Sequence, residues 1–168
     1  MKKILISRAG ILTWQGREYQ CSLGAGGIIK HKMEGDRATP AGCFPLRYIW
    51  HRADRIPKIE TELPLKALGP NNAWCDDPND SSYNQPVELP YRASTEHLWR
   101  DDNIYDVIVV LGYNDNPVIP GKGSAIFMHV ARKNYSPTDG CVALALDDLL
   151  EILGAVKKED VICIKSDE

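Results

Sequence analysis

His129 and Cys141 stand twelve residues apart in the run Ile126 to Leu146, and each residue type supplies half of a nucleophilic acyl-transfer site. A free thiol has a pKa of about 8.5, so only a small fraction is thiolate at neutral pH. A neighbouring imidazole that takes the proton raises that fraction. The apolar stretch Ser124 to Val130 suits a strand ending near His129, and Ser136-Pro137-Thr138-Asp139-Gly140 has the composition of a turn that delivers Cys141 to a second apolar stretch. Strand, turn and strand would bring the two side chains together.

The remaining elements follow from periodicity. Lys3 to Ser7, Ile11 to Trp14 and Arg17 to Ser22 predict a β-meander, with turns at Arg8-Ala9-Gly10 and Gln15-Gly16. Gly35 to Pro45 is dense in turn residues, and Leu46 to His51 reads as a strand. From Arg52 to Leu98 the chain is rich in Pro, Asn and Asp without a helical period, which predicts a long insertion with short strands and a role in binding. Asp106 to Leu111 is the strongest central-strand candidate, and Val161 to Ile164 closes the chain as a strand. Asp147 to Leu153 has acidic residues in its first turn and apolar residues at helical spacing, with Gly154 as its expected stop. Gly24 to Ile28 is glycine-rich but lacks the Gly-Lys-Ser/Thr of a phosphate loop and a following helix, so its expected role is turn formation and close backbone packing.

Composition narrows the function classes. The 168 residues, 43% of them hydrophobic, predict one domain over residues 1–168 with a core of its own. A net charge of −3 gives no basic field for nucleic acid or anionic lipid, so a small-molecule or peptide substrate is expected. No apolar stretch approaches a membrane span, and the apolar run after Lys2 and Lys3 stops at Ser7, too short for a secretory signal. The five cysteines form no C-x-x-C pair, and their odd number predicts free thiols in a reducing compartment. Cys21, Cys43, Cys75 and Cys163 read as structural, and the expected location is the cytoplasm. The four histidines show no metal-ligand spacing, so neither metal nor cofactor is assigned.

His129 with Thr138-Asp139-Gly140-Cys141-Val142 resembles the YkuD-type L,D-transpeptidase catalytic domain, which has a histidine at a strand end and a Ser/Thr-x-Gly-Cys motif shortly after it. Thr39-Pro40-Ala41-Gly42 resembles that family's Thr-Pro-x-Gly turn, and Gly112-Tyr113-Asn114 through Ser124 precedes the histidine as in related sequences. The resemblance covers almost the entire chain. It departs at Asp139, where the family usually has a second histidine, and at Ala143, where it usually has Arg or Asn.

The resemblance implies a mainly β, sandwich or barrel-like catalytic domain with one principal short helix. It implies a thioester on Cys141, formed from a peptidoglycan stem peptide with release of terminal D-alanine after His129 has taken the thiol proton. Gly140 and its neighbouring main-chain N–H groups are candidates for an oxyanion site. Asp139 is expected either to finish a turn or to orient His129, whose other nitrogen needs a backbone carbonyl or carboxylate acceptor. Arg132 and Arg37 are candidate partners for a peptide carboxylate, and Thr138 and Tyr113 are candidate substrate contacts. Trp74 and Tyr83 read as core or rim residues. With a cytoplasmic location and altered Asp139 and Ala143, a cysteine L,D-carboxypeptidase that trims muropeptides in peptidoglycan recycling ranks first. A wall-cross-linking L,D-transpeptidase ranks second, and a non-catalytic peptidoglycan-peptide binding module is the alternative of another class. No obligate protein partner is inferred.

Overall fold

The computed structural model describes residues 1–166. The chain opens with β1 (Lys3–Ser7), β2 (Ile11–Trp14) and β3 (Arg17–Ser22), which pair antiparallel in sequence order as the predicted meander. Then come the two-residue strands β4 (Ile28–Ile29) and β5 (Thr39–Pro40), and the long β6 (Gly42–His51). The predicted insertion contains β7 (Leu65–Ala67), β8 (Asn72–Cys75), β9 (Pro86–Glu88) and β10 (Thr95–His97). β11 (Val107–Leu111), β12 (Phe127–Val130), β13 (Val142–Leu144), the helix α1 (Leu146–Ala155) and β14 (Val161–Ile164) complete the chain.

The nine-stranded main sheet runs β11-β12-β13-β3-β2-β1-β14-β6-β7, and a further β11–β6 pairing closes it on itself. The fold is therefore mainly β and barrel-like, with one short helix, as expected. Closure removes edges that would otherwise be open to other chains. β11 is buried along its whole length, and its alternation explains why it reads as an unbroken apolar run. Val107, Val109 and Leu111 join an inner cluster with Ile4, Leu12 and Leu144, while Ile108 and Val110 join an outer one with Trp50, Trp74 and Phe127.

α1 begins one residue before its predicted start and passes through Gly154, so the expected glycine stop is not used. The helix ends because buried Val156 turns extended, with its N–H on the Ile152 carbonyl. Leu149, Ile152 and Leu153 fix α1 on the inner cluster. No described helix is long and apolar enough to cross a membrane.

The expectation of five free cysteines is overturned. Cys43 on β6 and Cys163 on β14 are register partners, 4.0 Å apart at Cα, and form a disulfide across 120 residues of sequence. The pairing depends on two distant strands becoming neighbours, which spacing along the chain does not disclose. Cys21, Cys75 and Cys141 are free and buried. With one disulfide present, the odd cysteine count no longer supports a reducing compartment.

Candidate active site

Two short strands place the chemistry. β12 and β13 run parallel, with His129 beside Ala143, so Cys141, two residues before Ala143, projects from the same face of the sheet as His129. That face is the outer one, covered by the insertion. The uncovered part is a cleft of about 800 Å³ into which His129, Cys141, Glu96, Lys32 and Arg132 open.

The turn that carries Cys141 is tied down by backbone contacts. Thr138 N–H donates to the Leu23 carbonyl and Ala25 N–H to the Thr138 carbonyl, each at 2.9 Å. The Gly24 N–H donates to the buried Thr39 hydroxyl at 2.8 Å, which fastens this loop to the Thr-Pro-x-Gly turn. Gly140 has φ +135°, and a Cβ there would stand 2.8 Å from the Ala38 carbonyl oxygen. A Cβ on Gly24 would stand 2.4 Å from the Arg37 carbonyl oxygen and 3.0 Å from the Gly140 Cα. The glycine-rich segment thus packs backbone against backbone beneath the motif, which is the role its sequence predicted.

The Thr138 hydroxyl is used within the same turn. It donates to the Cys141 carbonyl at 2.7 Å and accepts from the Gly140 N–H at 3.1 Å. Thr138 lines the cleft, but its hydroxyl shapes the nucleophile turn rather than facing a ligand. The Gly140 N–H is committed to Thr138 and not to the cleft, which corrects its expected oxyanion role in this state.

Cys141 Sγ donates to the Ala125 carbonyl at 3.2 Å and accepts the Phe127 N–H at 3.4 Å, and it makes no hydrogen bond to His129. Burial, reinforced by the charge of Glu96, pushes the thiol well above its ordinary pKa, and the Phe127 N–H only partly opposes this. The His129 Nδ1 lies 2.9 Å from the Val130 carbonyl, and burial lowers the imidazole to about 4, with Arg132 and Arg100 acting in the same direction. A neutral ring that donates from Nδ1 to this carbonyl leaves the Nε2 lone pair as the available base. Burial thus favours the neutral form of both groups, and transfer of the thiol proton to His129 requires Sγ to leave the Ala125 carbonyl.

Asp139 does not reach His129. Its carboxylate meets Arg37 at 2.7 Å in an exposed ion pair on the cleft rim, so the backbone carbonyl of Val130 is what orients the ring. Arg37 and Arg132 both line the cleft, where a peptide carboxylate could meet them, and Arg37 must then exchange Asp139 for its ligand. Tyr113 is not part of the cleft lining and instead packs edge-on against Phe44 at 5.4 Å. Ala143 is buried and does not line the cleft. Trp74 and Tyr83 are core residues, the latter donating its hydroxyl to Glu34 at 2.5 Å.

Several cleft residues had no sequence signal. Lys32 is almost fully buried yet opens on the cleft, its ammonium held by Asp36 at 2.6 Å. Burial opposes ionisation of Asp36, but the hydrogen bonds from Lys32, Met33 and Ala38 keep its carboxyl below the ordinary range. Tyr105 packs edge-on against the His129 ring at 5.1 Å and donates its hydroxyl to Glu96 on β10. Glu96 reaches the site because the insertion folds across it, and Arg100 and Tyr105 reach it from the segment between β10 and β11; an alternating Thr-Glu-His strand in a Pro- and Asp-rich stretch gives no hint of that.

Comparison with known proteins identifies a family. The model of the YkuD family, the L,D-transpeptidase catalytic domain, matches residues 3–164. A search of the curated proteins gives no match. Among solved structures, an L,D-transpeptidase from Mycobacterium smegmatis is 13% identical, with a TM-score of 0.46 over 98% of this chain and 58% of that one. L,D-transpeptidase 1 of Mycobacterium tuberculosis is 14% identical, with a TM-score of 0.45 over 98% of this chain and 58% of that one. The helical cell shape determining protein Pgp2 of Campylobacter jejuni is 14% identical, with a TM-score of 0.48 over 99% of this chain and 48% of its own. The chain therefore spans roughly half the length of these structures. With the family model matched over nearly its whole length, and a histidine and a motif cysteine on adjacent parallel strands in one cleft, this chain belongs to the L,D-transpeptidase catalytic domain family, a family of cysteine acyl-transfer enzymes.

Proposed function

We propose that the chain acts on peptidoglycan stem peptides by forming a thioester on Cys141 with release of a terminal D-residue. The observation that carries this reading is the shared cleft face of Cys141 and His129, with the imidazole fixed by Val130 so that Nε2 can accept a proton. His129 takes the proton of Sγ as the sulfur attacks the scissile carbonyl. It gives that proton to the departing amine, and the acyl group stays on sulfur. Arg37 and Arg132 are placed to hold a substrate carboxylate, for which a guanidinium fork is well shaped.

The thioester can pass to an amine, making a cross-link, or to water, trimming the stem. The trimming reading drew on an expected cytoplasmic location and on the altered residues Asp139 and Ala143, of which Ala143 is buried and does not line the cleft. The Cys43–Cys163 disulfide favours an oxidising compartment instead, and Asp139 is engaged by Arg37. An open carboxylate in the cleft, Glu96, supports amine acceptance. L,D-transpeptidation therefore ranks first and L,D-carboxypeptidase activity second.

Incubation with a tetrapeptide donor followed by mass analysis tests this reading. A dimer supports transpeptidation, loss of one alanine without a dimer supports trimming, and an unchanged donor with an unreactive Cys141 would leave only a binding module.

A further inference from the structure

The insertion places two carboxyl groups in the cleft without an ion-pair partner among the described residues, Asp76 and Glu96; the Asp76 Oδ1 is buried without a hydrogen bond, and Glu96 is the one whose charge acts on the Cys141 thiol. Glu96 sits on β10, lines the same cleft as Cys141, and has its Oε1 held by the Tyr105 hydroxyl. Tyr105 in turn packs on the imidazole of His129. Glu96 Oε2 has no hydrogen-bond partner among the described residues and is not among the buried unsatisfied atoms. The chain from β10 through Tyr105 to His129 fixes where this carboxyl can be, which is beside the thiol and open to whatever occupies the cleft.

We propose that Glu96 is the acceptor-binding base of this enzyme, which captures the incoming amine as an ammonium ion and takes its proton before the amine attacks the Cys141 thioester. This rests on the reading that Cys141 forms that thioester. A primary amine arrives at neutral pH protonated, and its nitrogen lone pair is then unavailable. One ammonium proton passes to Glu96. The freed amine adds to the thioester carbonyl, and the nitrogen loses its second proton to His129 Nε2. The carbon–sulfur bond breaks, the new amide forms, and the leaving thiolate recovers a proton from the imidazolium. Thioester and ammonium have become amide and thiol, with one proton left on Glu96 for solvent.

The surroundings fit a base working near neutrality. Burial raises Glu96 to about 7, the Tyr105 hydrogen bond and Arg100 oppose this, and the charges of Asp76 and Asp139 add to it. A base in that range is both ionised enough to bind a cation and basic enough to take its proton. Water carries no charge, so the hydrolytic branch gains nothing from an ion pair here.

Glu96→Gln separates this role from a structural one, because a glutamine oxygen still accepts from Tyr105 while losing charge and basicity. The experiment follows a stem tetrapeptide donor with excess glycinamide as acceptor, reading D-alanine release and the ratio of aminolysis to hydrolysis by mass. At pH 7 the variant is expected to lose about tenfold or more in the ratio of aminolysis to hydrolysis, a readout that compares two fates of the same thioester and so does not depend on how fast that thioester forms. The gap should narrow at alkaline pH, where glycinamide arrives as free amine. D-alanine release by both proteins with an unchanged ratio, or an equal loss in both branches, would overturn the assignment of Glu96 alone. No D-alanine release from the parent would overturn the thioester reading beneath it.

Discussion

Burial disfavours both the Cys141 thiolate and the His129 imidazolium, so proton transfer between them is expected to accompany substrate binding. In the absence of substrate, Cys141 is expected to react with iodoacetamide more slowly at pH 8 than a free thiol does, because burial disfavours its thiolate. Alkylation at the rate of free cysteine would show that the thiol is activated at rest. Cys141→Ser should abolish turnover and leave the fold intact, and His129→Gln should cost about two to four orders of magnitude in D-alanine release. His129 also carries a stability signature. Its folded pKa of about 4 lies below the unfolded value, so the unfolded chain binds more protons between the two. Its effect on stability is nil above about pH 6.5. As pH falls toward 4 the folded state should lose about 3 kcal/mol through this group. Denaturant titrations of parent and His129→Gln between pH 7 and 4 would reveal it as a smaller acid loss in the variant.

At the scale of elements, the nucleophile turn depends on glycines that a methyl group would displace. Gly24→Ala puts a Cβ against two backbone segments, and neither is a flexible side chain that could swing away. It is expected to destabilise the fold by about 1–3 kcal/mol and to lower turnover by shifting Cys141. Wild-type melting and turnover in that variant would mean that the loop is free to move. Thr138→Val should likewise cost about 1–3 kcal/mol, since it orphans the bonds to the Gly140 N–H and Cys141 carbonyl. The helix offers a change in the opposite direction. Ala145 precedes α1 in extended geometry with no side-chain cap, so Ala145→Asp should add about 0.5–2 kcal/mol, readable as a raised Tm.

For the whole molecule, the disulfide joins two strands 120 residues apart in sequence. Cys163→Ala is expected to cost about 2–4 kcal/mol of stability, while thioester formation at Cys141 stays near its parent rate, because Cys43 and Cys163 do not line the cleft. A large change in acylation would instead tie the β6–β14 seam to the site.

The meander, the buried run Val107 to Leu111, the helix and the paired motif around His129 and Cys141 were all determined by local sequence. Each depends on periodicity, turn chemistry or short-range spacing, and these survive in a linear string. The closing β11–β6 pairing, the Cys43–Cys163 bond and the Glu96–Tyr105–His129 contacts were decided only by tertiary structure. They join residues whose nearness comes from sheet closure and from the folding of the insertion over one face. The same holds for the corrections. Asp139 has the chemistry to orient His129, but the turn that carries it places it on the rim beside Arg37, and the Val130 carbonyl does the orienting instead.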